Sequence, residues 1–85
     1  MQKKVLKVNP KDNVIVALLD LSAGESVHLD GAEYTVAKDI KAKHKFAAVD
    51  FQEGDQIIMY GVIVGKANQH IEKGEVITTE NVKHQ

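Results

Sequence analysis

Four segments of the chain share one short frame: an aspartate or other polar residue, an apolar residue, two variable positions, usually a glycine, and a polar residue that leads into an apolar stretch. They are Asp20-Leu21-Ser22-Ala23-Gly24-Glu25, Asp39-Ile40-Lys41-Ala42-Lys43-His44, Asp50-Phe51-Gln52-Glu53-Gly54-Asp55 and His70-Ile71-Glu72-Lys73-Gly74-Glu75. The frame reads as a turn module. Its apolar residue anchors the loop to a core, the variable pair reverses the chain, and glycine accepts a positive φ at no steric cost. The uneven spacing of the copies excludes a solenoid of identical stacked units. The second copy departs from the others, because Lys43 stands where they carry glycine, and a side chain in left-handed geometry costs roughly 1 kcal/mol. Either that turn differs, or its strain is tolerated.

Between the turns, alternation dominates, and no stretch sustains a helical period over three turns. KVLKV at 4–8 reads as a first strand, ended by the turn Asn9-Pro10-Lys11-Asp12-Asn13. VIVALL at 14–19 is β-branched at its start and continuously apolar, which suits a strand buried on both faces; a short helix running to Asp20 fits the same residues. Residues 26–29 and 32–37 flank Asp30-Gly31, a pair that favours a tight hairpin. Residues 57–64 form another apolar run, interrupted at Gly61, where a bulge or bend is expected. The reading is one domain, 1–85, mainly β with short helical turns, hairpins and long loops.

A chain of 85 residues buries only roughly 60% of its extended surface. The only aromatic residues are Tyr34, Phe46, Phe51 and Tyr60, so its core is mostly aliphatic and gains from a partner. The absence of cysteine excludes disulfides, thiolate metal sites and a cysteine nucleophile. The opening MQKKVLKVNPKD lacks the apolar stretch of a signal peptide, which points to a soluble cytoplasmic protein without a membrane partner. With a net charge of −1 no long-range field draws the chain to nucleic acid. All 11 basic residues are lysines, so an anion is met by ammonium groups or backbone and not by a planar arginine clamp.

Candidate chemistry concentrates around His44. Were residues 41–46 extended, Lys41, Lys43 and Lys45 would face one way and Ala42, His44 and Phe46 the other. His44 is then either a half-buried histidine bonded to backbone or a group in contact with an active site. The lysines either attract an anion or protect an edge strand from further pairing. His28 alternates with Val27 and Leu29 and is expected in solvent. His70 opens a turn and His84 sits in a terminus expected to fray. Asp50, Glu53 and Asp55 lack the spacing of a calcium loop, and no phosphate loop, dinucleotide, metalloprotease or serine-nucleophile signature occurs. Tyr60 reads as a core or interface residue of a strand. Thr78 and Asn81 can orient substrate hydroxyls.

Taken in order, Asn13-Val14-Ile15-Val16-Ala17-Leu18, Asp20-Leu21, Gly24-Glu25, Asp39-Ile40, His44-Lys45-Phe46-Ala47, Tyr60-Gly61, Ile71, Gly74-Glu75 and Asn81-Val82 resemble the SAF domain, a β-clip fold. The resemblance is closest to the amino-terminal domain or small subunit of altronate and galactarate dehydratases, and it covers nearly the whole chain. It implies an assembled hydro-lyase that removes water from a sugar acid with a divalent metal, ferrous or manganous (Fe2+ or Mn2+), held outside this chain in a large catalytic subunit. It also leaves room for a homo-oligomer. His44 would be the catalytic contact of this chain, with Lys45, Thr78, Glu80 and Asn81 binding substrate and no metal ligand. Two departures stand out. Lys43 replaces the glycine of the family's Gly-His-Lys segment, and Thr78 and Glu80 stand where the family often carries a histidine pair ahead of the asparagine. Similar two-part sulfolactate sulfo-lyases, or a non-catalytic SAF-type binding or assembly module, are the alternatives. A lysine-modified carrier domain ranks last, because Asp30-Gly31 offers no lysine at its turn.

Overall fold

A computed structural model describes residues 3–84, and within them every regular element is a strand. In chain order these are β1 (Val5–Leu6), β2 (Val14–Ala17), β3 (Ser26–Leu29), β4 (Ala32–Thr35), β5 (Lys45–Ala47), β6 (Gln56–Met59), β7 (Val62–Ala67), β8 (Val76–Ile77) and β9 (Val82–His84). A central antiparallel sheet runs β1-β2-β5-β8, flanked by the β3-β4 hairpin and by a β6-β7-β9 sheet. The expected mainly-β domain is therefore all strand and turn. No helix among the described residues is long and apolar enough to cross a membrane.

The central sheet is covered on both faces. Ile15, Ala17 and Phe46 enter one core with Leu21, Val27, Tyr34, Val36 and Ile40. Val14 and Ala47 enter a second core with Phe51, Ile57, Met59, Ala67, Ile71 and Val82. Alternate residues of β2 thus feed opposite cores, which is why the strand is apolar at every position and not at every second one. The helical reading of 14–19 gives way to a strand that ends at Ala17, and Leu18 is exposed. Within the first core the Tyr34 and Phe46 rings meet edge to face at 6.2 Å, and the Lys73 ammonium lies 4.8 Å from the Tyr34 centroid, tying the fourth module to the β3-β4 hairpin.

All four modules adopt one backbone. At the glycine position φ is 84° for Gly24, 75° for Lys43, 93° for Gly54 and 92° for Gly74. The N–H of that residue donates to the carbonyl of a residue in or next to a strand, and the carbonyl of the next residue accepts from that same residue. Gly24 and Glu25 bond Val36 in this way, Lys43 and His44 bond Ala17, Gly54 and Asp55 bond Ala67, and Gly74 and Glu75 bond Ala47. The second turn is therefore the same turn, and its lysine carries the strain.

The modules associate in pairs through the antiparallel bridges Leu21 to Ile40 and Phe51 to Ile71. Their leading aspartates cap the partner turn. Asp20 accepts from the Ala42 N–H, Asp39 from the Ala23 N–H and Asp50 from the Lys73 N–H, each at 2.8 Å. The fourth copy begins with His70 and has no carboxylate to return the bond. This cross-capping accounts for the aspartates that recur in the frame.

Several sequence expectations change. The first strand contracts from 4–8 to Val5–Leu6. Residues 41–44 form a turn and not an alternating strand, so the two-faced arrangement of Lys41, Lys43, Lys45 against His44 and Phe46 does not exist. β5 lies between β2 and β8, so its lysine protects no edge. The bulge or bend expected at Gly61 is instead a full hairpin turn between β6 and β7, and the register shift lies elsewhere, between Ile57 and Ile58. Tyr60 and Gly61, at φ 57° and 76°, form that turn as Asp30 and Gly31, at 52° and 80°, form the other. Asp12, 5% exposed, holds the hairpin tip in place: its carboxylate accepts the N–H groups of Asn9, Tyr60 and Gly61. Asn13 spans the bulge, accepting from the Ile58 N–H and donating to the Gln56 carbonyl.

One ion pair ties β1 to the first module. The Lys4 ammonium donates to Glu25 at 2.8 Å and, with the Ser22 N–H, holds the Glu25 carboxyl below the usual glutamate range. A depressed carboxylate contributes stability that is complete above its unfolded pKa and is lost as pH falls through the folded one. Lys4→Ala is accordingly expected to move the Glu25 carboxyl titration upward and to reduce the acid-side slope of stability. Carboxyl NMR together with urea unfolding across the acidic range would read both.

Candidate functional site

A cleft of about 470 Å³ is lined by residues of the central sheet and of the β6-β7-β9 sheet. Its floor is the apolar end of the second core, with Val14, Ile57, Met59 and Val82 all buried. Its rim is polar and comes from three places. The second turn module and the start of β5 supply Lys43, His44 and Lys45, the β6-β7 turn supplies Tyr60, and the segment after β8 supplies Thr78 and Thr79. No carboxylate is among the residues that line it. Two lysines and a histidine thus border a cleft with no acidic residue in its lining, in a chain whose net charge is −1.

The turn module explains why His44 is available there. In the other three copies the residue at this position is a carboxylate that closes its own turn. Glu25 accepts from the Ser22 N–H at 3.0 Å, Asp55 from the Gln52 N–H at 2.8 Å and Glu75 from the Glu72 N–H at 3.1 Å. His44 keeps the backbone bond of the turn, donating its N–H to the Lys41 carbonyl at 3.1 Å, but its imidazole makes no such closure among the described residues. It is exposed and lines the cleft, not half-buried against backbone.

Of the residues singled out from sequence, His44, Lys45 and Thr78 share the cleft. Thr78 also borders another depression, of about 400 Å³, whose lining includes Glu80 and Asn81. Asn81 is buried, and its amide serves its own loop: Nδ2 donates to the Val76 carbonyl and Oδ1 accepts from the Thr78 N–H, both at 2.9 Å. The Glu80 N–H donates to the Thr78 hydroxyl at 3.1 Å. These bonds hold the loop that presents Thr78 and Thr79. Sequence reasoning passed over Thr79 and set Tyr60 in a strand; the Tyr60-Gly61 pair repeats the spacing of Asp30-Gly31 after its module, and that internal parallel is the signal that would have found the turn.

The remaining candidates lie elsewhere. His28 is in solvent as expected and pairs with Glu33 across the β3-β4 hairpin at 3.2 Å. His70 is exposed at the start of its module. The side-chain expectation for His84 lies outside the described residues. Asp50 and Asp55 are turn caps. Among the described residues no group of three histidine or carboxylate side chains is placed to hold a metal ion. The cleft, with one imidazole between two lysines, does not fit a divalent cation either, so these residues do not build a metal centre of their own.

An all-strand domain of paired turn modules, with a cation-rimmed cleft, defines a small β module of SAF type. The chain belongs to the altronate/galactarate dehydratase SAF domain family, whose pattern it matches over residues 3–85. It is 41% identical over 81 residues to the altronate dehydratase of Bacillus subtilis (strain 168), covering 95% of this chain and 16% of that enzyme. It is 36% identical over 78 residues to the altronate dehydratase of Escherichia coli (strain K12), covering 92% of this chain and again 16% of the enzyme. The chain thus spans about a sixth of the length of the curated relatives it matches.

Proposed function

We propose that this chain is the small-subunit or amino-terminal-domain part of a metal-dependent sugar-acid hydro-lyase of the altronate/galactarate dehydratase type, inactive alone and acting in the cytoplasm. The observation that carries the reading is the carboxylate-free cleft with His44 between Lys43 and Lys45, on a domain equivalent to 16% of dehydratase relatives. The larger catalytic body would hold the ferrous or manganous ion and abstract the proton next to the substrate carboxylate. This chain would close one side of the pocket. His44 approaches the substrate, Lys45 supplies positive charge to the anion, and Thr78 offers a hydroxyl from the rim that Glu80 and Asn81 hold in place.

The rim also suggests where the body docks. Tyr60, Val62 and Ile63 of the β6-β7 hairpin are 60%, 58% and 41% exposed, and Tyr60 lines the cleft as well. An apolar hairpin tip beside a half-walled cleft is the kind of surface a partner covers.

Co-expression with a large dehydratase body, followed by assay on aldonic and aldaric acids with ferrous or manganous ion, tests the proposal. The expected result is dehydration by the complex and by neither part alone. Turnover by this chain unaided, or failure to bind any such body, would overturn it; a stable complex that dehydrates none of the acids would point to the assembly-module alternative.

A further inference from the structure

We infer that Lys43 is a specificity residue that anchors the second carboxylate of a dianionic sugar acid, an inference that rests on the proposed function and narrows its substrate class. The backbone of the turn module requires a left-handed residue at this position, since the same pair of hydrogen bonds to a single facing residue is made in all four copies. Glycine fills it three times. The second copy keeps a lysine at φ 75°, in a conformation that L side chains adopt only against a steric penalty. Strained residues of this kind cluster where a site uses them, and Lys43 is exposed and among the residues that line the cleft.

The charge pattern says what the side chain is for. The cleft presents Lys43 and Lys45 on either side of His44 and no carboxylate, although the chain holds 12 acidic residues. One ammonium matches one carboxylate. At this wall of the pocket a monoanionic aldonic acid meets one of the two lysines, whereas an aldaric acid, with a carboxylate at each end, meets both. The ammonium suits this task because it is a flexible point charge that needs no fixed planar geometry at its partner.

Two measurements test the inference separately from the reading beneath it. In the first, the chain alone is titrated with a six-carbon aldaric acid and the aldonic acid of the same length, following backbone amide shifts of residues 43–45. The wild type is expected to favour the aldarate, and Lys43→Gly to lose that preference. In the second, the assembled enzyme is assayed on both acids. Lys43→Gly is expected to lower the aldarate-to-aldonate ratio of kcat/KM about tenfold, equivalent to about 1.4 kcal/mol, while Lys43→Arg keeps most of the ratio. The glycine variant restores the residue found in the other modules, so loss of folding does not confuse the result. An active enzyme whose ratio does not change in Lys43→Gly overturns the inference and leaves the dehydratase reading standing. An aldarate preference of the chain that depends on Lys43, without dehydration by any complex, supports the inference and overturns that reading. Binding of neither acid, with no active complex, overturns both.

Discussion

Gly74→Ala is expected to cost more than about 4 kcal/mol, enough to leave little folded protein in a domain whose whole stability is roughly 4–13 kcal/mol for its length. Gly24→Ala and Gly54→Ala, at the same position of sister modules, are expected to cost only about 1 kcal/mol each. All three share the conformational penalty of a side chain at positive φ. They differ in what the new methyl meets. Around Gly24 and Gly54 there is nothing within 4 Å, but at Gly74 a Cβ would overlap the Thr35 carbonyl oxygen and lie 3.1 Å from its carbon and 3.5 Å from the Val36 Cα. Those atoms are backbone and cannot rotate away. Nor can the module retreat, because the Gly74 N–H donates to Ala47 at 2.9 Å on one side and its carbonyl accepts from Ala37 at 3.1 Å on the other. Urea unfolding of the three variants reads the contrast directly, and a Gly74→Ala midpoint close to that of Gly54→Ala would show that the contact with the end of β4 is not a fixed one. In the same series Lys43→Gly runs the other way, with an expected gain of up to about 1 kcal/mol offset in part by the freer unfolded chain.

How far the sequence disclosed this structure depends on the range of the interactions involved. The turn modules were legible because their determinants are local: an apolar anchor, a residue at positive φ and a polar residue that closes the turn all lie within a few positions. The Asp30-Gly31 hairpin was legible for the same reason. The Tyr60-Gly61 hairpin was not, since tyrosine rarely occupies positive φ, and what holds it there is the Asp12 carboxylate from the other end of the chain. The reading of β5 as a lysine-protected edge failed on long range as well. Its second neighbour, β8, comes from a distant part of the chain, and no local pattern announces that pairing. The pairing of modules through their aspartates is likewise a contact between segments: the residues recur in the sequence, but the N–H groups they cap lie about 16 to 23 positions away.

The candidate site divides in the same way. His44 and Lys45 were legible as an unusual segment, and the structure brings them to one cleft with Thr78. The apolar floor was not, because Ile57, Met59 and Val82 are indistinguishable in sequence from the rest of the second core. Lys43 stood out only as a broken rule. A local rule broken without an apparent gain in stability is where a site is to be sought, and here the exception and the cleft coincide.

On the proposed role, His44→Ala lowers kcat of the assembled enzyme by about 100- to 10,000-fold, the range of a positioned proton carrier. The module makes a sharper test available than truncation alone. Because the other three copies place a carboxylate at this position and use it to close the turn, His44→Glu gives the second module the residue its own frame favours, with the Lys41 N–H as the group to be capped. Folding stability is therefore expected to hold or rise in His44→Glu. Activity is expected to fall at least as far as in His44→Ala, because a negative charge enters a cleft that has none and repels the sugar acid. A histidine with no part in the chemistry would leave turnover of the assembled enzyme unchanged in both variants, whatever their stability. Measuring unfolding and turnover on the same two variants separates these outcomes, and full activity in both would remove His44 from the chemistry of the complex.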